Sequence, residues 1–268
     1  MKIGVFGASG RMGQALIHAI SAQAHLSLAA AVVRVESAQR GQALNAELNY
    51  QSPEQVVMGQ VDVWIDFSLP ELVADNLQLA LQHGTPMVIC STGLSQTQHD
   101  LIKASAAQIP LLYAANTSVG VALLQQLTEL ASAALADADI EIIEAHHRYK
   151  RDAPSGTAVM LAESAARGRN STLAQLSAGV RGDGERQSGS IGFASIRAGD
   201  IIGEHTVLLA AAGERIELTH KVSERRVFAD GALRAAQWLV KQPAGSYQLA
   251  DMLNLRATFE RLLQRSFG

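Results

Sequence analysis

Residues 139–157, DIEIIEAHHRYKRDAPSGT, bring a strand-like run, a histidine pair, a cationic turn and a helix start into one short segment. Ile140, Ile142 and Ile143 with Glu141 and Glu144 read as a mostly buried strand, and the Pro/Gly/Ser punctuation between Asp152 and Gly156 ends it. His146 and His147 are neighbours on a nearly extended chain, so their side chains point to opposite faces and do not share one ligand. One is suited to proton chemistry and the other to positioning. Arg148, Lys150 and Arg151 supply positive charge, and Ser155, Gly156 and Thr157 precede a helical run over Ala158–Ala166. Backbone N–H groups at such a helix start favour a carboxylate or phosphate. Each feature alone has an ordinary reading as a solvated pair, a solvated turn or a helix cap. Their compression into one segment points to an anion site with a proton donor attached.

The N-terminus carries a second signal. Lys2–Phe6 is a short apolar strand, Gly7, Gly10 and Gly13 follow in GASGRMG, and Gln14–Ala22 has helical composition. Strand, glycine turn and helix in this order suit a dinucleotide pyrophosphate. Gly7 permits the tight turn, Gly10 lets a phosphate reach the backbone, and Gly13 lets helix and strand pack closely. The spacing GxxGxxG departs from the commoner GxGxxG, and a tight turn without ligand is its bland counterpart.

Those two segments need a scaffold, and the composition supplies one while excluding other classes. With 268 residues, 48% of them hydrophobic, the chain can bury one large core or two smaller ones. No run of 18 apolar residues occurs, and Met1 leads straight into a strand, so neither a membrane span nor a signal peptide is expected and the cytoplasm is the expected location. A net charge of −3 without a basic stripe argues against nucleic acid as partner. The one cysteine, Cys90, excludes an intrachain disulfide and a cysteine metal cluster, and the eight histidines show no metal-ligand spacing, so no metal is expected.

Strand patterns at 26–33, 61–67, 86–91 and 111–115 alternate with helical patterns at 71–82, 95–107 and 119–136. Alternation implies a parallel sheet with helices on both faces, whose ligands bind beyond the carboxyl ends of the strands. Those ends carry Arg34, Phe67 and Ser68, Ser91 to Gly93, and Asn116 with Thr117. After Asp137 the pattern changes: strands at 140–146, 190–197, 204–210 and 215–221 follow with one helix, and 167–186 reads as a mobile loop. A helix at 229–240 could return the chain to the first domain. The expected class is α/β, an N-terminal Rossmann-like doubly wound parallel sheet plus a second α+β domain with an open mixed sheet. Residues 1–117, completed by 228–268, form the first domain and 118–227 the second.

GASGRMG, VDVWIDFS, EAHHRYKRDAPSGTA, IIGEHTV and ERIELTH together resemble the 4-hydroxy-tetrahydrodipicolinate reductase family, along nearly the whole chain. The resemblance implies NAD(P)H-dependent reduction of a cyclic dicarboxylate on the bacterial route to diaminopimelate and lysine. It also implies a homotetramer whose substrate domains associate through their sheets. By its motifs, Gly7, Ala8, Ser9, Gly10, Arg11 and Met12 line the pyrophosphate, Ser91, Thr92 and Gly93 the nicotinamide side, and Ala114, Ala115, Asn116 and Thr117 the hinge beside the cofactor. His146 becomes the proton donor and acceptor, His147 a substrate ligand, Lys150 a proton donor or charge clamp, and Gly156 with Thr157 the carboxylate cradle.

The chain departs from the family pattern at Cys90–Ser91, where a Gly-Thr pair is usual, at Thr117, where phenylalanine is usual, and at Val33, where an acid often ends the second strand. An acid there accepts hydrogen bonds from both ribose hydroxyls of NADH. Arg34 without it favours the 2′-phosphate of NADPH, so both cofactors are expected with NADPH preferred. The implied chemistry is hydride transfer to a conjugated imine ring followed by protonation of the enamine, with either His146 or Lys150 as main donor. A dehydrogenase of another small acidic substrate, and a sensor that binds NADPH without turnover, are the alternatives.

Overall fold

The computed structural model describes residues 1–266; residues 267 and 268, the end of the segment expected to complete the first domain, lie outside the described residues. The described residues divide into two compact units, one of residues 1–118 with 226–266 and one of residues 119–225.

The first unit opens with β1 (Lys2–Phe6), α1 (Arg11–Ser21), β2 (Ser27–Val32) and β3 (Tyr50–Gln51). It continues through β4 (Val63–Asp66), α2 (Val73–Gln82), β5 (Met87–Ile89), α3 (Gln96–Ser105) and β6 (Pro110–Tyr113). The second unit contains α4 (Val119–Ala134), β7 (Asp139–His146), α5 (Gly156–Gly168), α6 (Leu173–Leu176), β8 (Ser177–Val180), β9 (Ile191–Arg197), β10 (Gly203–Ala211) and β11 (Glu214–Val222). The chain then re-enters the first unit with α7 (Arg226–Leu239), β12 (Gly245–Tyr247), α8 (Leu249–Leu253) and α9 (Leu255–Ser266).

Among the described residues the first unit holds a seven-stranded sheet, order β12-β6-β5-β4-β1-β2-β3, with parallel pairing throughout. The strands are short apolar runs buried on both faces, as a sheet covered by helices requires: Val63, Trp64 and Ile65 on β4 are all fully buried. Trp64 stacks on Phe6 with ring centroids 4.3 Å apart, and its indole occupies the space beside Gly4, where a Cβ would come within 2.3 Å of the ring. Glycine at position 4 is therefore a packing requirement of the core. Helix α7 packs against α1 and the central strands, and Gly231 on it admits the Thr117 carbonyl, which a Cβ would meet at 1.8 Å. Thr117, at the place where phenylalanine is usual in the family, is buried and donates its hydroxyl to the Phe228 carbonyl at 2.6 Å.

The second unit holds a five-stranded mixed sheet, order β11-β10-β7-β9-β8, antiparallel on one side of β7 and parallel on the other. One face is covered by α4 and α5. Ala158, Leu161, Ala162 and Ala165 of α5 pack with Ile140, Ile142, Phe193, Val207 and Leu209 of the sheet. Small residues bring the two helices close: a Cβ on Gly168 would meet the Glu129 carbonyl at 2.4 Å.

The segment 167–186, expected to be a mobile loop, contains the end of α5, the short helix α6 and the edge strand β8. Thr172 and Gln175 form a reciprocal capping box at the start of α6, and Ser177–Val180 pairs with β9, so local hydrogen bonds order a stretch whose Gly/Ser/Asn content reads as loop. The helix expected from residue 71 begins at Val73, because Pro70–Leu72 form a 3-10 turn first. No described helix is long and apolar enough to cross a membrane.

Candidate active site

In the first unit the site begins with the glycine turn after β1. Gly7 adopts φ +73, and a Cβ there would lie 2.7 Å from the Phe67 carbonyl oxygen. At Gly13 a Cβ would lie 2.2 Å from the Gly7 oxygen and 2.8 Å from Ala8 backbone. The turn is thus closed by missing side chains, with Gly10 as the N-cap of α1 and no side chain capping that helix. The first-turn N–H groups, Arg11 and Met12 among them, lack intrahelical acceptors by the geometry of any helix start. Ala8 plays another part: it is fully buried and its N–H is given to the Val32 carbonyl at 3.1 Å, so it packs the turn and offers no free donor.

A cavity of about 580 Å³ opens beyond β1, β2 and β4. Gly7, Ser9 and Gly10 line one side of it, Arg34 and Glu36 another, and Ser68 with Asn76 a third. Its floor is organised by Asp66, a fully buried carboxyl that accepts from Ser68 N at 2.6 Å and Asn76 Nδ2 at 3.0 Å. Burial raises its pKa against those hydrogen bonds. Ser91, Thr92 and Gly93, and Ala114 to Thr117, follow the ends of β5 and β6 and do not line this cavity. Ser91 is buried and donates to the Ser68 carbonyl at 3.0 Å, whereas Thr92 and Gly93 are exposed, Gly93 at φ +75. Cys90 is buried in the core, and burial beside Asp66 pushes its thiol well up.

In the second unit the alternation of β7 puts Ile140, Ile142, Glu144 and His146 on the buried face. The apolar pattern thus ends in an ionisable pair. His146 Nδ1 lies 2.5 Å from Glu144 Oε2. Glu144 is gripped in a bidentate fork by Arg197 at the end of β9, with Nη1 and Nη2 each at 2.8 Å, and accepts from Ser155 N at 3.3 Å. Arg197 also donates to the Asp152 carbonyl at 2.5 Å, tying the cationic turn to the sheet. Burial alone would raise the Glu144 carboxyl, but hydrogen bonds from Arg197 and His146 outweigh it and bring its pKa down to about 2. His146 is lowered by burial, an effect the hydrogen bond and charge of Glu144 only partly offset.

Helix α5 starts beside this pair. Ser155 is its N-cap, accepting from Ala158 N at 3.2 Å, and Gly156 and Thr157 are the first helical residues. Apart from its chain neighbours and its own helix, no heavy atom lies within 4 Å of where a Gly156 Cβ would be, so the space beside the first residue of the helix is open. Ser155 Oγ also lies 3.1 Å from Nε2 of the buried His205, whose pKa falls to about 4 through burial and the nearby His146. The His205 ring stands edge-on to His146, centroids 5.1 Å apart. Lys150 pairs with Asp152 at 2.9 Å, and its charge acts on His146. His147 points to the other side of the strand, as alternation requires, with its ring 6.4 Å from that of Tyr149.

The structure therefore brings His146, Lys150, Gly156 and Thr157 to one end of the mixed sheet. Ser155, expected at the helix start, is there as its cap, and the structure adds Glu144, Arg197 and His205, to which the sequence reading gave no role at the site. A signal for two of them was present: Glu144 and His205 interrupt otherwise apolar faces, Ile140-Ile142-Glu144 and His205-Val207-Leu209. A charge or imidazole on a core face has to have partners. Among the described residues no cluster of His, Cys, Asp and Glu could hold a metal ion.

A nucleotide-type glycine turn on a parallel sheet and a separate unit carrying a buried imidazole–carboxylate pair are the parts of a nucleotide-dependent enzyme that moves a proton. Family models described as dihydrodipicolinate reductase, N-terminus, and dihydrodipicolinate reductase, C-terminus, match residues 1–117 and 120–253. The chain belongs to the dihydrodipicolinate reductase family. It is 46% identical over 264 residues to the 4-hydroxy-tetrahydrodipicolinate reductase of Pseudoalteromonas atlantica, covering 95% of this chain and 99% of that one. To the Zymomonas mobilis enzyme of the same name it is 45% identical over 258 residues, covering 95% and 98%. In fold it matches the dipicolinate-bound dihydrodipicolinate reductase of Paenisporosarcina sp. TG-14 with a TM-score of 0.75 at 24% identity, covering 92% and 97% of the two chains.

Proposed function

We propose that the protein reduces 4-hydroxy-tetrahydrodipicolinate to tetrahydrodipicolinate with NADPH or NADH, using His146 as the proton donor and Lys150 as a clamp on the substrate's charge. Family membership supports this reading over another dehydrogenase or a sensor without turnover. The observation that carries the residue roles is the buried Glu144–His146 pair next to the open start of α5.

The first unit suits the nucleotide because its turn is a cradle that a Cβ at Gly7 or Gly13 would fill. Gly10, Arg11 and Met12 would hold the pyrophosphate at the start of α1, and Arg34 the ribose end. When bound, the nicotinamide supplies the hydride.

This chain's residues supply the rest. The N-terminal end of α5 at Gly156 and Thr157 holds a ring carboxylate, and Lys150 adds a positive charge that rises in value as the ring nitrogen and its neighbouring carbon become electron-rich. The family motif would make His147 a substrate ligand, but its side chain leaves the strand on the side away from His146 and the start of α5, so no part in this step falls to it. His146 delivers a proton to the carbon beside the reduced centre, and an imidazole, with a reference pKa of about 6.5, suits that task near neutral pH. The Paenisporosarcina protein is described as binding dipicolinate, a planar dicarboxylate of the kind this helix start would take.

Residues 118–227 then act as the substrate and assembly domain and 1–117, with the C-terminal return, as the nucleotide domain. The face of the mixed sheet opposite α4 and α5 carries Ile143, Ala194, Thr206 and Thr219, a surface on which substrate domains of a homotetramer would associate in the cytoplasm. The test is a coupled assay with freshly generated hydroxy-tetrahydrodipicolinate and each reduced nucleotide. Oxidation of the nicotinamide only when that substrate is present is the expected result. No oxidation with either nucleotide, or equal oxidation with unrelated keto acids, overturns the reading.

A further inference from the structure

We propose that Glu144, clamped by Arg197, is the positioning residue of the proton donor: it accepts the Nδ1 proton of His146 and so leaves Nε2 as the nitrogen that gives up and regains a proton. The proposal rests on the reading of His146 as donor and goes beyond it, because it assigns the tautomer and the groups that set it.

Three observations carry it. The Glu144 side chain is fully buried, and both its oxygens are occupied by the Arg197 fork, so the carboxylate has no freedom to rotate away from His146. His146 presents Nδ1 to it at 2.5 Å. Residue 203 is a glycine, and a Cβ there would come within 3.2 Å of His146 Nε2. The packing thus grips Nδ1, while at Nε2 the missing side chain of Gly203 keeps the ring from being crowded. A carboxylate on Nδ1 fixes ring orientation and stabilises the imidazolium that a donor must form.

The groups that face His146 determine the sign of the pH effect. Glu144 shares its strand, Lys150 comes from the turn, Arg197 from β9 and His205 from β10, and at the start of α5 the Ser155 hydroxyl is engaged with His205. Glu144 is the one carboxylate among them, so removing its charge leaves three cationic or basic neighbours and makes protonation of His146 harder. An obligatory acid loses activity as pH rises through its pKa. In Glu144→Gln the falling alkaline limb of kcat should therefore move to lower pH, with kcat at neutral pH reduced about 100-fold, within the span of general acid catalysis, and KM changed by less than about threefold. Glu144→Asp keeps the charge and should return the limb toward its wild-type position. Because His146 and Glu144 act as one unit, Glu144→Gln combined with His146→Gln should be no slower than His146→Gln alone.

Nitrogen-15 NMR of histidine-labelled wild-type protein gives a readout that needs no variant: above its pKa, neutral His146 should carry its proton on Nδ1. Finding it on Nε2 overturns the proposal, as does a Glu144→Gln enzyme with wild-type turnover and limb position. If His146→Gln itself turns over normally, the donor reading has failed. If His146→Gln is impaired while Glu144→Gln is not, the donor reading stands and only the positioning role falls.

Discussion

The two helix starts that the proposed function assigns to anions are built in opposite ways. At α1 the chain removes side chains: Gly7, Gly10 and Gly13 make the turn, no side chain caps the helix, and its first turn holds no acidic residue. At α5 the chain adds them: Ser155 caps the helix, and Glu144, His146, Arg197 and His205 surround the cap. The first arrangement can hold a phosphate but cannot move a proton. The second surrounds its anion site with groups whose protonation is set by burial and pairing. Binding without chemistry calls for bare backbone; chemistry calls for side chains held in a low-dielectric setting.

The sharpest way to break this contrast is to disable the second site and watch the first. His146→Gln should lower kcat on the order of 100-fold or more while nucleotide affinity stays near wild type, since the imidazole belongs to the unit that does not carry the glycine turn. Active-site-normalised turnover and nucleotide titration, measured beside the melting temperature, separate a lost donor from a lost fold. A variant with normal turnover would remove His146 from the mechanism.

The reciprocal experiment attacks the cradle. In Gly13→Ala the new methyl would sit 2.2 Å from the Gly7 carbonyl, so α1 must back away from β1. Overpacking of this kind costs about 1–3 kcal/mol, and the displaced first turn should weaken NADPH binding on the order of 100-fold. Binding of pyridine-2,6-dicarboxylate to the α5 start, followed by calorimetry without nucleotide, should be unchanged. Wild-type NADPH affinity in Gly13→Ala would refute the close-packing account.

The two sites also differed in how far they could be read from sequence. The glycine turn is local: strand, glycines and helix are consecutive letters, and at two of the three marked positions, Gly7 and Gly13, a Cβ cannot fit. Much of the second site was local too, since His146, Lys150, Gly156 and Thr157 lie in one segment. Its electrostatic half was hidden because Arg197 is 53 residues from Glu144 and His205 is 50 from Ser155, and only the folded sheet brings them together. Short elements escaped for a different reason. β3 and β12 have two and three residues, too few to show a period, and β8 lies in a Gly- and Ser-rich stretch whose order comes from pairing with β9. Trp64 and Gly4 illustrate a third limit: their mutual fit depends on neighbouring strands, which no single-chain pattern displays.

Acid should expose the same difference through stability. His205 is buried and its pKa falls from 6.5 to about 4 on folding. The unfolded chain therefore binds a proton in this range that the folded chain refuses, so stability declines as pH falls from about 6.5 to about 4 and then levels off for this group. The glycine turn contains no such group. The decline attributable to one histidine with this shift is at most about 3 kcal/mol. Replacing it with a neutral residue, His205→Gln, should flatten the denaturation midpoint across that window. An unchanged slope in His205→Gln would mean that other groups govern the acid response.

The smallest expected effect concerns the nucleotide end of the first site. Arg34 and Glu36 line the same cavity, beyond the end of β2, where Val33 is buried and offers no carboxylate to the ribose. An arginine at this place forms charge-assisted hydrogen bonds with a 2′-phosphate, whereas Glu36 can accept from ribose hydroxyls when that phosphate is absent. If the two side chains act in this way they favour different nucleotides in one cavity, and the expected outcome is use of both with NADPH ahead. Arg34→Ala should cost about tenfold in kcat/KM for NADPH, roughly 1.4 kcal/mol at one exposed charge pair, and leave NADH within about twofold. Glu36→Gln should do the reverse on a smaller scale, lowering use of NADH and sparing NADPH. Because neither residue belongs to the proton-transfer unit, both variants should keep the wild-type pH profile of kcat. A clear preference for NADH that Arg34→Ala leaves untouched would show that the cavity reads the ribose by other groups, and the bare-backbone description of the first site would then cover its specificity as well as its binding.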